Sequence, residues 1–311
     1  TMENTRAKTT RNSLILLLTA TIWGMAFVSQ SKGMDYMHPF TFNGVRSLIG
    51  AAGILVYILI SRKIAGDKAA KLDWKLNAKA GLLCGIFLTI ASTLQQFGIK
   101  YTSVGKAGFI TTLYIIFVPM FGIFLKKKVA PVVWAAAGMA AVGMYLLCMT
   151  ESLRLGAGDI MVFLCAIAFA IQIMTVDHYA ARIDGAVVSC IQFTVCGVVC
   201  CIGALIWGQP TFGQIQEGLG ALLYAGVLSC GVGYTLQIVG QKGLNPTVAA
   251  LIMSLESVIA TISGWIAYKI GFLSTDQTLT PRQIAGCIIV FAAVILVQLP
   301  PEWFRFGKKN A

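Results

Sequence analysis

Apolar stretches of about 20 residues, the length a helix needs to cross the hydrocarbon core of a bilayer, recur along this chain at near-regular intervals. They fall at 12–31, 39–61, 77–99, 104–125 and 131–149, then at 158–178, 185–207, 217–239, 246–270 and 281–299. The pattern predicts ten helical spans joined by short loops. Pro39, Pro131, Gly158, Gly185, Pro246 and Pro281 stand where spans begin, as expected of residues that punctuate or open helices. Residues 6–24 open like a signal peptide, but the apolar run continues through Trp23 and Phe27 without a small-x-small cleavage site, so it reads as the first span.

Within the spans, small and polar residues gather on single faces, the arrangement expected where helices touch or line water inside a membrane. In span 3, Gly81, Gly85, Thr89, Ser92 and Gln96 form one stripe, while Leu83, Phe87 and Ile90 lie largely off it. Span 2 carries Pro39, Asn43, Arg46, Gly50 and Gly53 on a second stripe. Span 9 carries Ala249, Met253, Glu256, Ala260 and Ser263 on a third, backed by Leu251, Leu255, Val258 and Ile262, a face that reads as lipid-exposed.

The chain also repeats itself. Thr93, Leu94, Gln95, Gly98 and Lys100 recur at the same spacing as Thr235, Leu236, Gln237, Gly240 and Lys242. Outward from this stretch, Trp23-Gly24 falls opposite Phe169-Ala170, Arg46 opposite Gln192, and Gly138 opposite Gly286. Five spans per half is an odd number, so the second half must enter the membrane from the opposite side. The expected architecture is an all-α integral membrane protein of ten transmembrane helices arranged as two inverted five-helix repeats. The divisions are an N-terminal segment 1–12, a first repeat 13–149, a linker 150–157, a second repeat 158–299 and a basic tail 300–311.

Composition agrees with the bilayer and reorders the meaning of the charge. Of 311 residues, 57% are hydrophobic and 12% charged, too apolar a mix for a water-soluble core. The net charge of +12 raises nucleic acid as a partner, but the basic residues lie in loops, mostly alternate ones. Arg6, Lys8, Arg11, Arg62, Lys63, Lys68, Lys71, Lys75, Lys126 to Lys128, Arg182, Lys242, Arg305, Lys308 and Lys309 share one side. Lys32, Lys100, Lys106, Arg154, Lys269 and Arg282 take the other. The excess marks the cytoplasmic face clearly in the first half, while in the second Arg182 and Lys242 compete with Lys269 and Arg282, so the span count puts both termini there, in a multi-pass protein of the plasma membrane. The partners expected are the lipid bilayer and a small-molecule substrate, not nucleic acid, with a monomer or homodimer as the assembly. The nine cysteines sit in apolar runs and read as small hydrophobes.

Glu256 is the carboxylate well inside a span. It reads either as a proton-binding site that alternates with substrate or as a hydrogen-bonded structural acid. Arg46, deep in span 2, is set to hold a substrate carboxylate, to pair with Glu256, or to satisfy carbonyls structurally. Lys106, one turn into span 4, reads as a snorkelling side chain and as a gate charge. Gln95, Gln96, Tyr114, Gln172, Tyr234 and Gln237 supply uncharged donors and acceptors suited to a small polar or zwitterionic solute, or else glue between helices. Trp23 sits deeper than interfacial tryptophans do and reads as a cavity wall or as packing beside Gly24. No phosphate-cradling loop and no metal or nucleophile motif accompanies them. ATP hydrolysis and intramembrane enzymology are therefore disfavoured, and no cofactor is expected beyond proton coupling.

With Trp23-Gly24, Phe27, Pro39 and Arg46, then Gly98 to Gly108, Pro119 and Gly138, and finally Leu255-Glu256 and Gly286, the chain resembles the EamA-domain transporters of the drug/metabolite transporter superfamily. The resemblance covers most of 13–299. It implies a central cavity bordered by spans 1, 3, 4, 6, 8 and 9, with spans 5 and 10 peripheral. It also implies transport of amino acids, other metabolites or drugs, often outward and in some members by proton exchange. Three departures stand out. Ser257 replaces the proline that usually follows the glutamate. Lys126 to Lys128 and Lys269 stand where many relatives carry an acid. The loop 271–280 is longer than its counterpart, as a lid would be.

The resulting expectation is a secondary active exporter of small metabolites working by alternating access. Efflux of lipophilic compounds is the alternative within transport, and a passive channel or a non-transporting scaffold lies outside it.

Overall fold

The computed structural model describes residues 2–66, 71–126, 129–148, 156–274, 276–278 and 280–298. The basic positions Lys68, Lys127, Lys128, Arg154, Arg305, Lys308 and Lys309, with most of the linker and the tail, lie outside them.

All regular structure among the described residues is helical. In chain order it runs α1 (Met2–Gly33), α2 (Pro39–Ala65), α3 (Trp74–Ile99), α4 (Val104–Thr112), α5 (Tyr114–Phe124), α6 (Pro131–Cys148), α7 (Ala157–Tyr179) and α8 (Gly185–Gly203). There follow α9 (Phe212–Glu217), α10 (Leu219–Leu223), α11 (Tyr234–Gln241), α12 (Pro246–Met253), α13 (Leu255–Lys269) and α14 (Pro281–Gln298). Eight helical stretches among the described residues are long and apolar enough to cross a membrane, some joining two of these elements, such as Val104–Phe124 and Pro246–Lys269. α6 and α14 contribute shorter apolar stretches, Pro131–Gly143 and Ile284–Leu296. Among the described residues, eight of the ten expected spans thus reach full length, and the fifth and tenth correspond to the two shorter apolar helices.

The ends form for local reasons. Asp73 and Asp184 cap α3 and α8 by accepting the amides of Leu76 at 3.0 Å and Ala186 at 3.0 Å. Asn245 caps α12 through the Thr247 amide, and prolines at the first turns of α2 and α12 forgo a donor that would have had no helical partner.

Glycine contacts give the register of the bundle. Gly44 of α2 faces Cys201 and Gly197 of α8 faces Leu48, so these two helices run antiparallel. Gly143 of α6 meets Gly286 and Val290 of α14, and Arg282 lies over the Tyr145 ring, again antiparallel. α1 runs antiparallel to α11 and to the stretch before it, from Asn12 against Lys242 to Ser29 against Ala221. It runs parallel to α13, where Gly24 lies against Glu256 and Ile259. The packing partners correspond when the halves are exchanged: α1 lies against α11 and α13, as α7 lies against α3 and the α4–α5 pair.

Three details depart from the sequence reading. The stretch expected as a regular eighth span widens to a π-helix over Tyr224–Gly233. There Gly226 approaches the Arg46 carbonyl so closely that a Cβ would stand 2.9 Å from it. The face of α12 and α13 taken as lipid-exposed is largely covered. Leu251, Leu255 and Val258 are buried because α12 packs against α6 and α14, while Ile262 remains 41% exposed. The third is a helix break at Ser254, which forms without proline. The Ser254 hydroxyl donates to the Leu251 carbonyl, and the Ser257 hydroxyl joins its own amide on the Ser254 carbonyl, side-chain bonds that compete with the regular helical pattern. An equivalent break at Leu113 separates α4 from α5, ahead of Pro119.

Candidate functional site

The two helix breaks lie side by side at the centre of the bundle. Tyr114, first residue of α5, donates its hydroxyl to Glu256 Oε1 in the first turn of α13 at 2.8 Å. Both are buried, and both line a central cavity of about 30 Å³, room for one or two waters. That volume is too small for a molecule the size of an amino acid.

Seven of the residues singled out as solute contacts or walls are placed as follows. Trp23 and Tyr234 line the cavity with ring centroids 4.5 Å apart, and Phe193 meets Tyr234 edge-on. Gln172 and Gln237 also line it, joined by reciprocal amide bonds of 3.1 and 3.4 Å between α7 and α11. Gln95 lines it and donates to the Thr111 hydroxyl at 3.2 Å. Gln96, one residue on, does not reach the cavity: its amide donates to the Gln30 carbonyl and fastens α3 to α1. Tyr114 is the seventh, through its bond to Glu256.

The charges are arranged differently from each other. Among the described residues, Glu256 is the sole acid and Arg46 the sole base lining the cavity, and no ion pair joins them. Arg46 instead stacks its guanidinium over the Phe42 ring at 5.4 Å. Its Nε and the Trp23 Nε1 are buried donors with no hydrogen-bond partner among the described residues. Buried donors are rarely left so, and two at one cavity favour a polar solute or water there.

Lys106 does not snorkel outward. It sits at the bundle end where α4 and α7 begin, and its ammonium pairs with Asp159 Oδ2 at 2.6 Å. Asp159, 4% exposed, also accepts from Thr102 and the Gly156 amide, and such a dense set of donors holds the lysine inward. Sequence reasoning passed over Asp159 because it lies at a helix start, where an acid is ordinary. It equally passed over Gln30, Thr111 and Ser229, further polar members of the cavity wall. Nearby, Leu273 of the long loop is buried in one cluster with Ile99 and Val104.

Among the described residues no group of three or more histidines, cysteines, aspartates or glutamates could hold a metal ion. The site offers instead a single carboxylate that can exchange a proton, aromatic walls and amide groups.

Comparison with known proteins supplies the context. The model of the EamA-like transporter family matches residues 11–149 and again 156–299. An uncharacterised transporter of Archaeoglobus fulgidus is 28% identical over 290 residues, covering 91% of this chain and 84% of its own length. The uncharacterised transporter YwfM of Bacillus subtilis is 24% identical over 295 residues, covering 93% and 94%. A solved structure sharing 16% identity superposes with a TM-score of 0.73 over 96% of this chain and 99% of that one.

Proposed function

The chain belongs to the EamA-like transporter family, and from that premise we propose that it exports small polar or zwitterionic metabolites by alternating access, coupled to protons through Glu256. That it is a membrane transporter, and not an enzyme, follows from the family. The observation that carries the finer reading is the Tyr114–Glu256 contact at a central cavity with unpaired donors on Arg46 and Trp23. A lone carboxylate in a low-dielectric site is costly unless it exchanges its charge or its partners during work.

In this reading the repeats are residues 13–149 and 158–299, inverted within a ten-helix bundle in the plasma membrane with both termini cytoplasmic. The antiparallel pairing of α2 with α8, and of α6 with α14, supports the inversion, because these pairs occupy corresponding places in the two halves. The small cavity corresponds to a closed stage of the cycle. Flux of candidate amino acids and related solutes in proteoliposomes, with and without a pH gradient, tests the proposal. Gradient-driven flux in wild type and its loss in Glu256→Gln are expected; identical pH dependence in the two removes Glu256 from coupling.

A second reading, efflux of lipophilic compounds, draws on an apolar groove of about 640 Å³ between α1, the π-helical stretch and α13, bordered by Met25, Tyr224 and Ile259. Resistance profiling against metabolite-toxicity profiling in cells separates the two.

A further inference from the structure

At the bundle end opposite Lys106 and Asp159, a groove of about 650 Å³ opens between elements of both halves. Arg62 reaches it from the end of α2, Lys71 from the approach to α3, Arg182 from the α7–α8 turn and Lys242 from the end of α11. Two carboxylates share the groove, but both are engaged as helix caps. Asp73 accepts the Leu76 amide, and Asp184 accepts the amides of Ala186 and Val187. Lys242 donates to the Ile183 carbonyl at 3.2 Å, which leaves two ammonium hydrogens for other acceptors. Arg182 likewise donates to the His178 carbonyl. Among the described residues lining the groove four cations face two carboxylates, so the rim carries a net positive charge.

The groove is not only a rim. Tyr57 and Ile58 of α2 and Thr235 and Val239 of α11 also line it, and Thr235 lies seven residues, about 10 Å, along the helix from Lys242. It thus continues from the charged edge down a slot along the bundle wall. Beside it, Tyr57, Ile60 and Ile64 are exposed as lipid-facing residues are, and Trp74, 61% exposed, stands at the start of α3 where an interfacial anchor would sit.

We infer that this groove binds an anionic phospholipid, with its phosphate among Arg62, Lys71, Arg182 and Lys242 and an acyl chain in the slot beside Val239. Basic recesses between transmembrane helices suit such headgroups. A free phosphate or phosphorylated metabolite shares the headgroup chemistry but has nothing to place in the slot, which is why the lipid is the occupant chosen. Because two cations come from each half, a bound lipid ties the halves together at this end, opposite the Lys106–Asp159 tie. The inference needs only a membrane-embedded chain and does not depend on the substrate or on proton coupling.

The test is lipid binding by the delipidated full-length protein, using native mass spectrometry and thermal unfolding in a neutral detergent. Phosphatidylglycerol is compared with phosphatidylcholine of the same chains. Retention of phosphatidylglycerol in about tenfold excess, with a rise in unfolding temperature that phosphatidylcholine does not give, is expected. Combined Arg62→Gln, Arg182→Gln and Lys242→Gln should remove the preference, while Lys63→Gln with Lys79→Gln, outside the groove, should keep it. Val239→Trp, which fills the slot and leaves every cation in place, should also remove it and decides the matter if the triple variant does not fold. Equal retention of both lipids, equal loss in the control variant, or retained preference in Val239→Trp overturns the inference. An equal thermal shift from glycerol phosphate or inorganic phosphate also overturns it, in favour of a soluble anion.

Discussion

Tyr114 and Glu256 meet across 2.8 Å at two interruptions of the helical backbone, Leu113 before one and Ser254 before the other. The bond joins a residue of the first family-matched segment to one of the second. It therefore ties together the two family-matched parts of the molecule, and it does so at the cavity itself.

Removing that hydroxyl tests the contact. Tyr114→Phe leaves a buried carboxylate oxygen short of a partner and is expected to destabilise the protein by about 1–3 kcal/mol. Glu256→Gln keeps an acceptor for the phenol and should cost less. Thermal unfolding in detergent reads both, and a Tyr114→Phe protein as stable as wild type would mean that the bond contributes nothing net.

Close helix approach gives a second prediction. A Cβ on Gly24 would stand 2.5 Å from Ile259 Cβ and 2.7 Å from the Glu256 carbonyl oxygen, both on α13. Gly24→Ala should push α1 off α13, cost about 1–3 kcal/mol and reduce flux. Gly53 has open space around its Cβ position, so Gly53→Ala should be neutral or stabilising by up to about 1 kcal/mol. The pair of unfolding curves separates crowding from a general penalty on glycine replacement.

The Lys106–Asp159 pair fastens the start of α4 to the start of α7, beside the cluster that holds Leu273. Asp159→Asn leaves the lysine without its counter-charge, and a loss of about 1–3 kcal/mol is expected because the ammonium is still partly wet. Adding Lys106→Met should recover most of it. In a Leu273→Cys background, maleimide should react faster when Asp159 is replaced; an unchanged rate would dissociate the ion pair from closure of this end.

His38 provides the pH dependence. Burial holds its imidazole below the ordinary value near 6.5, with Lys100 adding to the effect, and Nδ1 accepts the Phe40 amide at the start of α2. The unfolded chain then binds the proton more readily than the folded one. The stabilising contribution is present above about pH 6.5 and is lost as pH falls through the unfolded and then the folded value. Unfolding temperature should drop between pH 7.5 and 5.5 in wild type, and that component of the drop should vanish in His38→Asn, which retains a side-chain acceptor for the cap.

Much of this was legible beforehand because a bilayer imposes simple rules. Four of the five residues in the small and polar stripe of α3, Gly81, Gly85, Ser92 and Gln96, are buried, while Thr89 is half-buried like Leu83 and Phe87 of the other set and Ile90 is exposed. The polar set was harder to sort. Gln95 and Gln96 are adjacent and alike in type, yet a turn of about 100° between neighbours on a helix sends one to the cavity and the other to the Gln30 carbonyl. Asp159 lies at a helix start, where an acid is ordinary, and nothing in the sequence marks it as the partner of Lys106, 53 residues away on another helix.

The sequence by itself determined the helical, membrane-embedded character, the duplication and the family, since each follows from local apolar length and from repeated residues. Tertiary structure decided that Leu251 and Leu255 face helices instead of lipid, that Arg46 lies over Phe42 without reaching Glu256, and that the helix breaks at Ser254 without a proline. The physical reason is that acyl chains and a neighbouring helix are both apolar surroundings. Periodicity records that a face avoids polar groups, while only the packed bundle chooses which apolar neighbour covers it.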